Sequence, residues 1–226
     1  MHKPLVVVTM GDPSGIGPEI VVKACADPAV ASIARVLVIG DARVVSWASG
    51  IVGSTRAIRA VSKVEDALFE PDSIDVLTLD NVDMDSFRPG EVSAMCGKAA
   101  YEYIEKSVEI TLSRKADAVA TAPIHKEALR AAGVPYIGHT EIYGALTRSP
   151  DPLTMFEVRG LRVFFLTRHV SLRAACDMVT KERIKDYVRR CTEMLSFLGV
   201  SGGTMAIAGL NPHSGEHGLF GTEEVE

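Results

Sequence analysis

No C-x-x-C pair occurs in this sequence. Its four cysteines, Cys25, Cys96, Cys176 and Cys191, stand far apart. That spacing excludes a zinc ribbon and a disulfide framework, and it fits reduced thiols in the cytoplasm. No apolar run approaches the roughly 18 residues of a membrane span. The run Leu5–Val8 is too short for a signal-peptide core, and Gly11-Asp12-Pro13 soon interrupts it. A basic excess is also absent: 24 Lys and Arg face 29 Asp and Glu, for a net charge of −5, so neither nucleic acid nor an anionic membrane is the expected partner. Neither G-x-G-x-x-G nor the Walker Gly-Lys-Ser/Thr ending is present, which removes the two commonest phosphate-binding fingerprints.

What remains is an ordinary folding composition. Hydrophobic residues make up 47% and charged ones 23% of the 226 residues. A chain of this length buries roughly 70 to 75% of its unfolded surface, enough for one large domain or two small ones. Short β-branched runs alternate with helical stretches, which predicts an α/β protein with a largely parallel sheet. Strands are expected at Leu5–Thr9, Val36–Ile39, Ile74–Leu79, Ala118–Thr121, Thr154–Val158, Arg162–Leu166 and Thr204–Ala208. Most are apolar throughout, the pattern of strands covered on both faces. The two runs flanking Arg159-Gly160 read instead as an antiparallel hairpin. One helix is expected after Thr180, a good N-cap, with an apolar stripe through Ile184, Val188, Cys191 and Leu195 and an end at Gly199. A second runs from Ser93 to about Lys115. The acidic stretch Pro71–Pro89 reads as a strand with solvated flanks, and Thr222 reads as the cap of a helix beginning near the end of the sequence.

Three groups of residues are candidates for chemistry. Thr9 to Glu19 forms a glycine-rich turn between a strand and a helix opening near Pro18. Its backbone N–H groups can face an anion or a neighbouring loop, and Asp12 and Glu19 can equally be capping acids. Thr121-Ala122-Pro123-Ile124-His125-Lys126 follows what reads as a buried strand, where α/β proteins place ligands. Lys126 there is either a phosphate contact or a solvated helix start. Gly138-His139-Thr140-Glu141 resembles another cap, whose His139 and Thr140 side chains are able to hydrogen-bond an anionic or hydroxylated substrate, although a lone histidine is more commonly a satisfied surface or core residue. The third group is His169, after the strand Arg162–Leu166, and His213, after the strand Thr204–Ala208. If those strands are parallel neighbours, both imidazoles reach one sheet edge and are able to share a divalent metal. His217 lies four residues beyond His213, but Pro212, Gly215 and Gly218 argue against a helix that would pair them.

Read in order, the blocks TMGDPSGIGPEI (Thr9–Ile20), TAPIHK (Thr121–Lys126), GHTE (Gly138–Glu141), the His169 segment, GLNPHSGE (Gly209–Glu216) and GTEE (Gly221–Glu224) resemble the 4-hydroxythreonine-4-phosphate dehydrogenase family of pyridoxal 5'-phosphate (pyridoxine) biosynthesis. The resemblance implies two α/β domains with mostly parallel sheet, like those of isocitrate and isopropylmalate dehydrogenases, here 1–120 and 121–226. It also implies a cytoplasmic homodimer acting on a phosphorylated small molecule. The implied reaction is NAD- or NADP-dependent oxidation of a phosphorylated β-hydroxy acid followed by decarboxylation, assisted by a divalent metal: zinc, or else magnesium or cobalt. Carried across by motif, His169 and His213 become metal ligands, while His139 and Thr140 become substrate contacts.

A metal on the substrate hydroxyl gives that residue set a purpose. It lowers the hydroxyl pKa, as bound water falls from about 15.7 to about 7, so the proton can leave as hydride departs. Family members extend well beyond residue 226, and the portion not present here would carry a third ligating histidine and much of the dinucleotide site. The first expected substrate is 4-phosphohydroxy-L-threonine. The stretch Thr154–His169, with Arg168 beside the proposed ligand, resembles more closely the branch acting on D-threonate or D-erythronate 4-phosphate. A non-catalytic module binding phosphorylated acids and, more weakly, a metal hydrolase are the alternatives of other classes.

Overall fold

The computed structural model describes residues 3–225. The chain divides into two compact units, Met1–Pro152 and Leu153–Glu226. In the first, the elements follow as β1 (Leu5–Thr9), α1 (Gly17–Ala26), α2 (Pro28–Ile33), β2 (Arg35–Gly40), α3 (Ala42–Val52), β3 (Ala57–Val61), β4 (Ser73–Thr78), α4 (Ala94–Leu112), β5 (Ala118–Thr121), α5 (Lys126–Ala131) and α6 (His139–Leu146). The second holds β6 (Met155–Val158), β7 (Leu161–Phe164), α7 (Leu172–Met178) and α8 (Lys181–Phe197).

All five strands of the first unit are parallel, in the order β3-β4-β2-β1-β5. Every connection between parallel neighbours must cross over; α1 and α2 do so between β1 and β2, whereas β3 reaches β4 through residues 62–72, which hold only a short 3-10 turn. Leu37, Val38 and Ile39 of β2, Val7 of β1 and Val76 of β4 are fully buried, as apolar strands between helical layers should be. Each such side chain contributes roughly 1.5–3 kcal/mol by leaving water. The helix starts are set locally. Asp27 accepts from Ala29 N, Asp41 from Arg43 N and Ser93 from Cys96 N, satisfying donors that the first turn leaves open. A smaller cluster, Ile104 of α4, Leu129 of α5 and Ile142 of α6, ties the last two helices to α4. Gly97 permits this: a Cβ there would collide with the Ala128 carbonyl and the Leu129 amide.

Two expectations about strands are corrected. β5 is not buried; it is the edge of the sheet, bonded only to β1, and Thr121 is exposed. The apolar reading of Ala118–Thr121 predicted a buried strand covered on both faces, and that cover is non-local information. Residues 204–208 form no strand among the described residues, so no ladder fixes the Thr204–Ala208 run. The hairpin is as expected: β6 and β7 pair antiparallel, with Met155 opposite Phe164, around Arg159 and Gly160, which both have positive φ. At the end of the chain Thr222 opens only a turn, with Val225 N donating to its carbonyl at 2.9 Å.

Candidate functional site

The carboxyl ends of β1 and β5 lie side by side, with Thr9 in register with Thr121. The turn after β1 is clamped to the turn after β5. Ala122 N donates to Thr9 O at 3.0 Å and Asp12 N to Pro123 O at 2.9 Å. Gly11, at φ +78, approaches Pro123 O so closely that a side chain would clash, and Gly17 packs in the same way on Met10 O. Within the turn, Asp12 Oδ1 accepts from Ser14 N at 2.8 Å and Asp12 O from Gly15 N at 3.0 Å. The amides of Asp12, Ser14 and Gly15 are thus bonded within the turn or to the loop after β5, and Gly11 and Gly17 allow the close packing seen there. Burial raises the Asp12 pKa, opposed by the Ser14 hydrogen bond and by the charge of nearby His125.

His125 caps α5, its Nδ1 accepting from Ala128 N at 3.4 Å, and both His125 and Lys126 are exposed. His139 is the first residue of α6, after Gly138, which has no side chain to cap the helix. Its ring lies nearly parallel to that of Tyr143, one turn on, with centroids 6.2 Å apart and planes 13° from parallel. Burial lowers the His139 pKa, favouring the neutral imidazole. Among the described residues, three buried side-chain polar atoms have no hydrogen-bond partner: Thr9 Oγ1, Glu19 Oε2 and His139 Nε2. Buried polar atoms ordinarily find partners, so an orphan asks what completes it. Here all three fall within the TMGDPSGIGPEI and GHTE blocks. Sequence reasoning missed Tyr143, although its place four residues after His139 in a helix was the available signal.

In the second unit, His169 is exposed and adopts a left-handed backbone, φ 52, uncommon for a residue with a side chain. His213 is exposed as well, its Nδ1 3.6 Å from Glu216 Oε1 and its ring 5.3 Å from that of Phe220. Gly215, Glu216 and His217 all have positive φ, so His213 and His217 do not share an α-helix. The premise of two parallel strands presenting His169 and His213 is not met, because β7 pairs antiparallel with β6 and residues 204–208 are irregular. Among the described residues no three His, Cys, Asp or Glu side chains form a group fit to hold a metal ion. The donor types suit a zinc-like ion, but these residues do not complete a site by themselves.

Residues 32–226 match the family described as pyridoxal phosphate biosynthetic protein PdxA. The chain belongs to the PdxA family. It is 54% identical over 225 residues to a Clostridium botulinum protein named, by inference, D-threonate 4-phosphate dehydrogenase, covering 100% of this chain and 67% of that one. Among solved structures, a 4-hydroxythreonine-4-phosphate dehydrogenase from Burkholderia phymatum superposes with a TM-score of 0.89 at 38% identity, covering 100% of this chain and 68% of the other. The enzyme of the same name from Klebsiella pneumoniae gives 0.89 at 37%, covering 99% and 68%. The α/β architecture is thus that of PdxA-family dehydrogenases, and the chain is an oxidoreductase of that family. It spans about two thirds of the length of these relatives. No helix among the described residues is long and apolar enough to cross a membrane.

Proposed function

We propose that this protein oxidises a 4-phosphorylated hydroxy acid with NAD or NADP, in the cytoplasm and as a homodimer, and that D-threonate 4-phosphate is its substrate in preference to 4-phosphohydroxy-L-threonine. The observation that carries the substrate class is the buried, unpartnered His139 Nε2 beside Thr140 at the uncapped start of α6. A neutral imidazole and a hydroxyl there would hydrogen-bond a hydroxylated or phosphorylated acid and exclude a purely apolar one. The choice of acid is supported by likeness: 54% identity to a relative with the threonate name, against 38% to a solved hydroxythreonine enzyme.

His169 and His213 are the residues proposed to hold the divalent metal, with further ligands coming from outside the described residues. Bound there, the ion would acidify the substrate hydroxyl. The strained backbone of His169 supports a functional placement. The exposed apolar hairpin residues Phe156, Val158 and Leu161 support a subunit interface. Steady-state assays of the metal-loaded protein, encoded by its whole gene, with each acid and each nicotinamide test the reading. The expected result is the larger kcat/KM with D-threonate 4-phosphate; a larger value for the amino acid would reverse the assignment. His213→Ala should remove bound metal and turnover together while far-UV circular dichroism stays unchanged. Retained turnover would take His213 out of the site.

A further inference from the structure

We propose that Tyr143 is a positioning residue for substrate, holding the His139 imidazole at the start of α6 while Ser107 of α4 anchors Tyr143 in turn. This rests on the reading of His139 as a substrate contact. The two rings lie 13° from parallel on successive turns of α6. An imidazole at the first position of a helix has one flank open, and the Tyr143 face closes it, leaving Nε2 buried yet without a partner. Ser107 is fully buried and its hydroxyl donates to Ile104 O at 2.7 Å. With that proton already committed, the 3.4 Å contact between Ser107 Oγ and Tyr143 Oη has the phenol as donor. The relay Tyr143 O–H to Ser107 O–H to Ile104 O thus runs from α6 into α4. At 3.4 Å its first link is weak, so the ring face contributes more than the hydroxyl.

The alternative role is pure filling, since Tyr143 also packs on the Ile104, Leu129 and Ile142 cluster. A filler would affect stability without changing the environment of His139, and this separates the two roles. The test uses the protein encoded by its whole gene, loaded with metal and NAD, as wild type, Tyr143→Leu, Tyr143→Phe and Ser107→Ala. For Tyr143→Leu, KM for the phosphorylated acid should rise between about twofold and about tenfold, the worth of one aromatic contact, with the loss falling in KM rather than kcat. The ring signals of His139 should move in nitrogen-15 NMR while those of His125 stay. Tyr143→Phe and Ser107→Ala should produce smaller changes in the same direction. Unchanged KM and unchanged His139 signals in Tyr143→Leu would overturn the proposal. If that variant does not fold, Tyr143→Met, unbranched and adaptable, takes its place with the same two outcomes. Absence of turnover in the wild type would strike the functional reading alone, because the His139 signals still decide the positioning.

Discussion

In residues Met1–Pro152 the side chains of Val7, Val22, Leu37, Ile39, Val44 and Tyr103 are closed off from water, whereas among the described residues of Leu153–Glu226 only Tyr187 and Cys191 are buried apolar ones. In that second unit Leu172 is 82% and Phe197 85% exposed. The two stretches have similar apolar character, so the difference lies in what is available to pack against. A five-stranded parallel sheet with crossover helices buries both of its faces within one unit. A two-stranded hairpin with two helices has no second layer to close on, and an isolated hairpin is at best marginal in water. The sheet unit therefore holds most of the buried core among the described residues, and the proposed subunit association would cover exposed apolar side chains of the other.

Substitutions can break or sharpen this contrast. Leu37→Ala, in the centre of the sheet, should cost about 2–5 kcal/mol in urea unfolding, while Leu172→Ala should stay within about 0.5 kcal/mol; equal costs would erase the distinction. Phe156→Lys places a charge on the exposed hairpin, and sedimentation at micromolar concentration should show a dimer converted to monomer with little change in the circular dichroism of the sheet. A native monomer would remove the association argument.

Smaller effects concern two buried carboxylates of the sheet unit. Burial alone would raise the Asp41 pKa, but hydrogen bonds from Arg43, at 2.6 Å, and from the Val82 and Arg43 amides more than offset it, so its value in the folded state is depressed. A depressed carboxylate contributes stability that is complete above its unfolded value of about 3.9 and is lost as pH falls through the folded value. Asp41→Asn should therefore cost about 1–3 kcal/mol at pH 7 and much less in acid. Asp12 has the opposite sign. Its raised pKa means that ionising it works against the fold, so the contribution is present at low pH and fades as pH rises through the folded value. Asp12→Asn keeps an acceptor for Ser14 N and should gain on the native protein by under about 1 kcal/mol as pH rises. A gain on acidification would show that the carboxylate is stabilised, contrary to its burial.

Much of the sheet was legible because its signals are local. β1 and β5 start and stop where their β-branched and small apolar residues do, and Ser93 and Thr180 cap α4 and α8 as their side chains predict. β3 was not legible. Its Arg59 reads as a polar interruption, yet the guanidinium reaches across to buried Asp75 on β4 and to Glu70 at 2.8 Å. The exposure of β5 and the irregular course of 204–208 depend on which strands lie beside them, which residue order does not encode.

The site divides in the same way. His139 and Thr140 were proposed as substrate contacts from their block, and the structure adds the orphaned Nε2 and the Tyr143 ring beside it. The glycine-rich turn was identifiable as a turn, but the carbonyl it packs against, that of Pro123, lies more than a hundred residues further on.

In the proposed reaction, oxidation at the C3 hydroxyl would send hydride to the nicotinamide and a proton to solvent, and the resulting β-keto acid would then lose carbon dioxide. Parallel measurement of reduced nicotinamide and released carbon dioxide, with D-threonate 4-phosphate and the metal-loaded protein, tests this account most directly. The account predicts equal amounts of both, abolished by removing the metal. No reduced nicotinamide with any 4-phosphorylated hydroxy acid, or reduction without carbon dioxide, would contradict it.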